Sequence, residues 1–418
     1  MTNAGFSQTG TTWIGHRRGT RDYSRIQLAM LLAGIATFAQ LYAPQAVLPQ
    51  VSQGFGVTTA ESSLMVSAST VGLAVAVVPW TLVADRIGRK RSISIAIIAA
   101  TILGLCAILA PNFQLALLIR LFEGFALGGV PAAAMAYLNE EVHKIDSAAA
   151  SGMFVAGNTI GGLSGRLVSG PVGELTGSWQ LGVLSVSTLA LVAALLFMFL
   201  SPTPQGFTPL GPTQSVGASV RRTVRNAWEH LHDRVLLAIY LQPFVMMGGF
   251  VAIYNYLGYY LTAEPYSLPV WLASFAFVAY LAGAISSPIS GRLGGEHGRK
   301  RVKLASDAIS LVGLGIMLIP NLWAIVAGLI VFTTGFFASH AISIGWAAAH
   351  PKNGRAQSSA LYNFTYYFGS SVFGFVGGLF YQSHGWISLI AMVAVIYLVA
   401  IIIAIIVLPT RPTASTRT

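Results

Sequence analysis

The chain has 418 residues, 55% of them hydrophobic and only 9% charged, with a net charge of +11. A soluble domain carries about 25% charged residues, so this composition excludes an ordinary water-exposed fold. The single cysteine, Cys106, excludes an intramolecular disulfide and a cysteine-rich metal site.

Residues 1–25 are polar and basic and hold no apolar core. They are not expected to be a cleavable signal peptide, which leaves the first span as its own insertion signal. Apolar stretches of roughly 20 residues then follow, the length that crosses about 30 Å of hydrocarbon. They predict spans at 26–48, 62–83, 92–110, 114–138, 148–173 and 180–200. A Pro/Gly/Ser-rich segment at 201–219 and a basic stretch at 220–234 form a polar connection. Further spans are predicted at 235–261, 268–291, 302–319, 322–346, 357–381 and 386–408. Backbone groups in lipid must be paired internally, so the spans are helices or a closed barrel. Stretches such as Ile93–Ala110 do not alternate as barrel strands would. The expected organisation is a tail at 1–25, helical bundles at 26–200 and 235–408, a linker at 201–234, and a tail at 409–418.

Lysine and arginine orient these spans. With a cytoplasmic N-terminus, 22 of the 24 fall in cytoplasmic segments, counting five between Arg292 and Lys303. The other two, Arg120 and Arg166, lie within spans, and the outer loops hold none. This positive-inside pattern places both termini in the cytoplasm of a multi-pass inner-membrane protein.

The two halves echo each other. Gly88-Arg89-Lys90-Arg91 recurs as Gly298-Arg299-Lys300-Arg301, and Ser151, Gly162, Ser164 and Trp179 recur as Ser358, Gly369, Ser371 and Trp386. A parallel repeat of two six-helix halves is a transporter architecture.

Loop 2–3 carries Asp85, Arg86, Gly88, Arg89 and Lys90 in the spacing of the Gly-x-x-x-Asp-Arg-x-Gly-Arg-Arg/Lys signature, with Thr81 in place of the first glycine. The second copy keeps that glycine as Gly291 and has Gly295 where the acid belongs. On these residues, and over all the spans, the chain resembles the major facilitator superfamily. The resemblance implies an all-α membrane protein of twelve transmembrane helices, arranged as two pseudo-symmetric six-helix bundles. It also implies that Asp85 and Arg89 form a charge latch stabilising an outward-open state. Topology-setting charge is the plainer role for the same residues. In span 4, Arg120-Leu121-Phe122-Glu123-Gly124 is similar to the Arg-x-x-Gln-Gly signature of the drug:proton antiporter branch, with glutamate for glutamine. Span 5 has that branch's glycine richness, including Gly157, Gly161, Gly165 and Gly170-Pro171. Such a helix offers a rocking surface or simply close packing.

Buried charge is costly, about 2.5–3.5 kcal/mol for a mid-bilayer arginine on insertion scales. Arg120 and Glu123 sit roughly 9 to 14 Å below the outer end of span 4, and Arg166 about 10 Å below that of span 5. Glu123 is therefore expected to carry a proton, with Arg120 and Arg166 as switchable partners, because neighbouring guanidinium favours the charged carboxylate and burial disfavours it. The alternative is a permanent ion-pair cluster tying spans 4 and 5 together. Glu140 and Glu141 are expected to be hydrated acids, and Asp307 to pair with Arg301 or Lys303 or to snorkel. Asn158, Tyr254, Asn255, Tyr362, Asn363 and Tyr366 are candidates to line a cavity for an uncharged or amphipathic ligand. His340 joins them as a pH-sensitive group or as a neutral, hydrogen-bonded histidine. Tyr259 and Tyr260 suit an interfacial belt. Spans 3, 6, 9 and 12 are nearly free of charge, and the family fold makes them a lipid-facing scaffold.

Neither a Gly-x-x-x-x-Gly-Lys-Ser/Thr phosphate loop nor a metal-spaced His/Cys/acid cluster is present in the sequence, so no cofactor, metal or ATP is expected. The expected partners are a small-molecule substrate, protons and membrane lipid, with no nucleic acid, and the working unit is a monomer. The reading is a secondary transporter, most readily a proton-coupled exporter of a small amphipathic solute. A symporter or facilitator importing a sugar or metabolite is the alternative, and a membrane enzyme a remote one.

Overall fold

The computed structural model describes residues 13–207, 216–351 and 353–410. Parts of the expected tails and linker, 1–12, 208–215 and 411–418, lie outside the described residues. Among the described residues the chain is helical apart from one bridge, between His16 and Val142. It divides into two compact units, Met1–Val47 with Ala68–Gln214, and Leu48–Ser67 with Ser215–Thr418.

The first half of the chain begins with α1 (Arg21–Tyr42), a 3-10 turn at Ala43–Val47 and α2 (Leu48–Phe55). A short α3 (Thr59–Ser62) precedes α4 (Leu64–Ile87) and α5 (Arg89–Ala107). Next come α6 (Phe113–Leu127), α7 (Gly129–Glu141), α8 (Ser147–Thr176) and α9 (Trp179–Leu200). The second half holds α10 (Val216–Leu231), α11 (Arg234–Thr262), α12 (Val270–Ser274) and a 3-10 segment at Phe275–Tyr280. It ends with α13 (Leu281–His297), α14 (Arg299–Ile316), α15 (Leu322–Ala349) and α16 (Arg355–Val407).

Helices start where short polar side chains satisfy first-turn N–H groups. Thr20, Asn112, Ser178, Asp233 and Asn321 accept from backbone N–H at the starts of α1, α6, α9, α11 and α15. Nine helical stretches among the described residues have the length and composition to cross a membrane. Three differences account for the remainder of the expected twelve. Helix α8 carries Arg166, Glu174 and a run of glycines, and α14 carries four basic residues and Asp307. Helix α16 is two spans joined at a kink, where His384 and Gly385 leave helical geometry and Gly385 takes φ +68°.

In the first unit α8 lies against α1 through a stripe of small residues. A methyl on Gly157, Gly161 or Gly165 would come 2.3, 2.6 or 2.4 Å from the carbonyl oxygen of Leu31, Ile35 or Ala39. The four-residue spacing matches on both helices, so the backbones meet along one line. Lipid supplies no hydrophobic drive between helices, and this close approach replaces it with packing.

The second unit is built on α11, buried almost throughout from Leu236 to Leu257, and packed on α16. Phe250 stacks on Phe336 with ring centroids 4.0 Å apart. Within the same unit Ser67 and Ser371 donate to each other's carbonyl at 3.1 Å. Tyr259 donates to Leu48 O at 2.8 Å and its hydroxyl lies 2.7 Å from Ser62 Oγ. Tyr260 stacks on Trp386 at 4.6 Å. These tyrosines are engaged by neighbouring segments.

The repeat is visible inside each unit taken separately. Gly88 and Gly298 hold φ of +94° and +89°, a backbone shape that side chains resist. The lysine two residues on then reaches the end of the half's last helix. Lys90 Nζ donates to Ser201 O at 2.5 Å, and Lys300 Nζ donates to Leu408 O and Ile405 O at 2.7 Å. Each lysine thus caps orphaned carbonyls at a helix C-terminus.

The α1–α8 contact gives a direct test. Gly161→Ala is expected to destabilise the protein by about 1–3 kcal/mol, the usual cost of overpacking, because the added methyl meets backbone. Gly152→Ala, with open space around it, should leave the melting temperature unchanged or slightly raised. Thermal unfolding of both variants in detergent checks this.

Candidate functional site

The site in the first unit starts from a proline. Pro44 has no N–H, so the carbonyl four residues earlier, Gln40 O, loses its helical partner. Helix α1 ends there and the chain tightens into the Ala43–Val47 turn, which leaves last-turn carbonyls to be satisfied elsewhere. Arg120 Nη1 donates to Gln40 O at 3.3 Å and Nη2 to Leu41 O at 2.8 Å. Ser169 Oγ donates to Ala43 O at 2.6 Å. A cation at a helix C-terminus is also favoured by the helix dipole.

Arg120 holds Glu123 at the same time, Nη1 to Oε2 at 2.7 Å. Both side chains are about 1% exposed. Glycine makes room for the carboxyl. A methyl on Gly104 of α5 would lie 3.2 Å from Glu123 Oε1 and 3.3 Å from Ser187 Oγ. Arg166, fully buried, takes a different set of partners from the one expected of it. Its Nε donates to Gln45 Oε1 and its Nη1 to Gly162 O, both at 2.6 Å. Its guanidinium covers the Tyr42 ring at 4.4 Å. All three expected charges therefore converge on the broken end of α1, Arg120 and Glu123 as an ion pair and Arg166 on the turn beyond.

The loop 2–3 residues form a compact ionic group. Arg89 pairs with Asp85 through Nη1 and with Glu140 Oε1 through Nε at 3.0 Å. Gly88 supplies the turn, Lys90 the cap on Ser201, and Arg86 is exposed. Glu140 and Glu141 are not the hydrated acids expected. Glu140 joins the ionic group through Arg89, and the buried Glu141 accepts from the backbone N–H groups of Gln205 and Gly206 at 2.8–3.0 Å. Nothing in their sequence spacing marked this, because Glu140's partner lies back in loop 2–3 and those of Glu141 lie beyond span 6.

The other candidates separate. Asn158 sets its Oδ1 over Gly34 of α1, where a methyl would approach it at 2.7 Å. In the second unit His340 Nδ1 and Tyr362 Oη are 2.9 Å apart, and the Tyr366 ring lies 4.8 Å from His340. Tyr254 is buried with its hydroxyl 2.8 Å from Thr333 Oγ1. Asn255 is buried facing Gly374, and Asn363 is half-buried on α16. Asp307 takes one of its expected partners, accepting from Lys303 Nζ through Oδ2 at 2.6 Å. The burial of Lys303 was not expected: counted in the sequence as a loop cation, it is fully buried in α14. The span expected to be nearly charge-free thus contains a buried ion pair, which the i, i+4 spacing makes possible.

The family description Major Facilitator Superfamily matches residues 30–373 and 270–418. The chain belongs to this superfamily. It is 36% identical to the inner membrane transport protein YnfM of Escherichia coli (strain K12), over 88% of this chain and 87% of that protein. It is 34% identical to the uncharacterized MFS-type transporter YybF of Bacillus subtilis (strain 168), over 90% and 91%. Among solved structures, it aligns with a bacterial homologue of the human lysosomal transporter Spinster in an inward-facing, unoccupied conformation. That alignment has a TM-score of 0.77 at 16% identity and covers 95% of this chain and 100% of the other. The chain is thus a transporter of the superfamily rather than an enzyme, a multi-pass protein of the inner membrane with a small-molecule substrate.

Removing one partner of the Arg120–Glu123 pair leaves a buried charge uncompensated. Arg120→Leu is expected to cost about 3–5 kcal/mol and to lower the melting temperature more than the Arg120→Leu/Glu123→Leu double variant. A double-variant cycle read by thermal unfolding measures the difference.

Proposed function

We propose that this protein is a proton-coupled exporter of a small amphipathic organic solute, working by alternating access between bundles at 26–200 and 235–408. Both termini and the linker at 201–234 face the cytoplasm in this reading, as the distribution of lysine and arginine requires. The observation that carries it is the Arg120–Glu123 pair, with its guanidinium shared between the carboxylate and the Gln40 and Leu41 carbonyls.

That sharing makes protonation feasible. An ordinary buried pair resists neutralisation because the lost partner strands a charge. Here Arg120 keeps two carbonyl acceptors when Glu123 takes a proton. The proton enters from one side of the membrane onto a Glu123 oxygen and leaves to the other. Between those events the neutral carboxyl is free of Arg120 and stays against Gly104 of α5. Arg166 acts through Gln45 and Tyr42, on the turn that the same arginine-bound carbonyls begin. The proton state of Glu123 therefore bears on how tightly the end of α1 is held.

The loop 2–3 group serves as the latch. Asp85, Arg89 and Glu140 join α4, α5 and α7, and releasing them loosens three helices together. His340, Tyr362 and Tyr366 form the adaptable polar and aromatic surface for the solute, with Asn158, Tyr254, Asn255 and Asn363 as further candidate contacts. Resemblance of span 4 to the drug:proton branch favours export.

The test uses proteoliposomes and a solute identified by thermal stabilisation of the purified protein. Glu123→Gln should abolish accumulation driven by a pH gradient while solute counterflow persists. Undiminished gradient-driven transport by folded Glu123→Gln would remove the coupling role. Flux indifferent to the gradient in the unmodified protein would instead favour facilitated diffusion.

A further inference from the structure

Helix α10 precedes the membrane-spanning α11 with only His232 and Asp233 between them, and Asp233 caps α11 through the N–H groups of Val235 and Leu236 at 2.8 and 3.2 Å. Its C-terminal end is therefore fixed where a span enters the bilayer. One side of α10 is docked on its own unit. His230 is buried with Nε2 3.0 Å from Asn353 O. Asn226 packs on Gly354, where a methyl would lie 2.9 Å from its Cβ.

The side away from this contact is apolar and uncovered. Val224 is 61%, Trp228 64% and Leu231 43% exposed, and their spacing puts them on one stripe of the helix. Arg221 and Arg225, both exposed, flank that stripe about one turn apart. Among the described residues Arg225 is paired by a long 3.7 Å contact with Glu229. A polar cavity lined by Asn226, Glu229, Asn353, Gly354 and Gln357 opens beside Arg225.

We propose that α10 is an in-plane membrane anchor that binds anionic phospholipid on the cytoplasmic leaflet. Val224, Trp228 and Leu231 enter the boundary between headgroups and acyl chains, where tryptophan is favoured. Arg221 and Arg225 meet the lipid phosphates. Two facts name a bilayer rather than a protein as the occupant: the stripe is tethered at the mouth of a span, and its charged border has the sign that anionic headgroups require. The choice of leaflet rests on the orientation proposed above, whereas the lipid contact does not.

The full chain is tested in a Cys106→Ser background with Val224→Cys, Trp228→Cys or Glu229→Cys, each spin-labelled. The variants are placed in nanodiscs of phosphatidylethanolamine with phosphatidylglycerol, or of phosphatidylcholine alone. In the anionic discs, labels at 224 and 228 should favour oxygen over a water-soluble nickel chelate, and the label at 229 the reverse. The oxygen preference should be lost in phosphatidylcholine and on adding Arg221→Ala and Arg225→Ala. Labels at 224 and 228 open to the chelate in anionic discs, or shielded from both reagents as under a protein partner, would overturn the proposal. So would an oxygen preference indifferent to lipid charge. Transport is not read, so this result stands or falls apart from proton coupling.

Discussion

Helix α1 is broken within the first expected span, and the carbonyls freed by that break govern the first unit. In lipid an unpaired backbone carbonyl costs several kcal/mol. Pro44 removes the donor that Gln40 O would have used, and the turn at Ala43–Val47 leaves its neighbours short. Arg120, supplied by α6, and Ser169, supplied by α8, meet that need. Once a guanidinium is fixed there, a carboxylate nearby reduces its cost, and Glu123 stands one turn along the same helix. A backbone defect thus accounts for buried ionic chemistry on an otherwise apolar helix.

The two halves share a scaffold and differ in what they do with charge. Both use a positive-φ glycine and a lysine cap to close the end of the last helix. The first adds Asp85 and Glu140 around Arg89, whereas the second has Gly295 in the acid's place. Its charge is more fully buried, as Lys303 with Asp307, and the same unit holds a stack of aromatic rings around Phe250. A repeat conserves the parts that every six-helix half needs for closure. It leaves the other charged and aromatic positions free to differ between the halves.

Family membership defines the scaffold and the class of work, and the substrate is set by side chains grafted on it. A third of the residues are shared with YnfM and YybF. The polar groups of the second unit are largely occupied by one another, as with Tyr254 and Thr333 or Tyr362 and His340. In the proposed reading, a solute that binds there exchanges those contacts for its own, which favours a ligand with both aromatic and hydrogen-bonding surface.

Spans, their number and the internal repeat were legible in the sequence because hydropathy and charge act locally, residue by residue, as the chain meets the bilayer. Arg120, Glu123 and Arg166 were legible for the same reason, since charge within a span has to be compensated. Their partners were not. Arg166 uses Gln45 and Tyr42, from the end of α1 and the turn after it, more than a hundred residues away. Burial of Glu141 and Lys303 depends on which helix end or neighbour covers them. The same holds for Leu48–Ser67, which lies in the first half of the sequence and packs in the second compact unit. Sequence by itself determined which segments enter the membrane and where charge must be paid for. Tertiary structure alone decided which donor meets which acceptor, because that choice depends on the line along which two helix backbones touch.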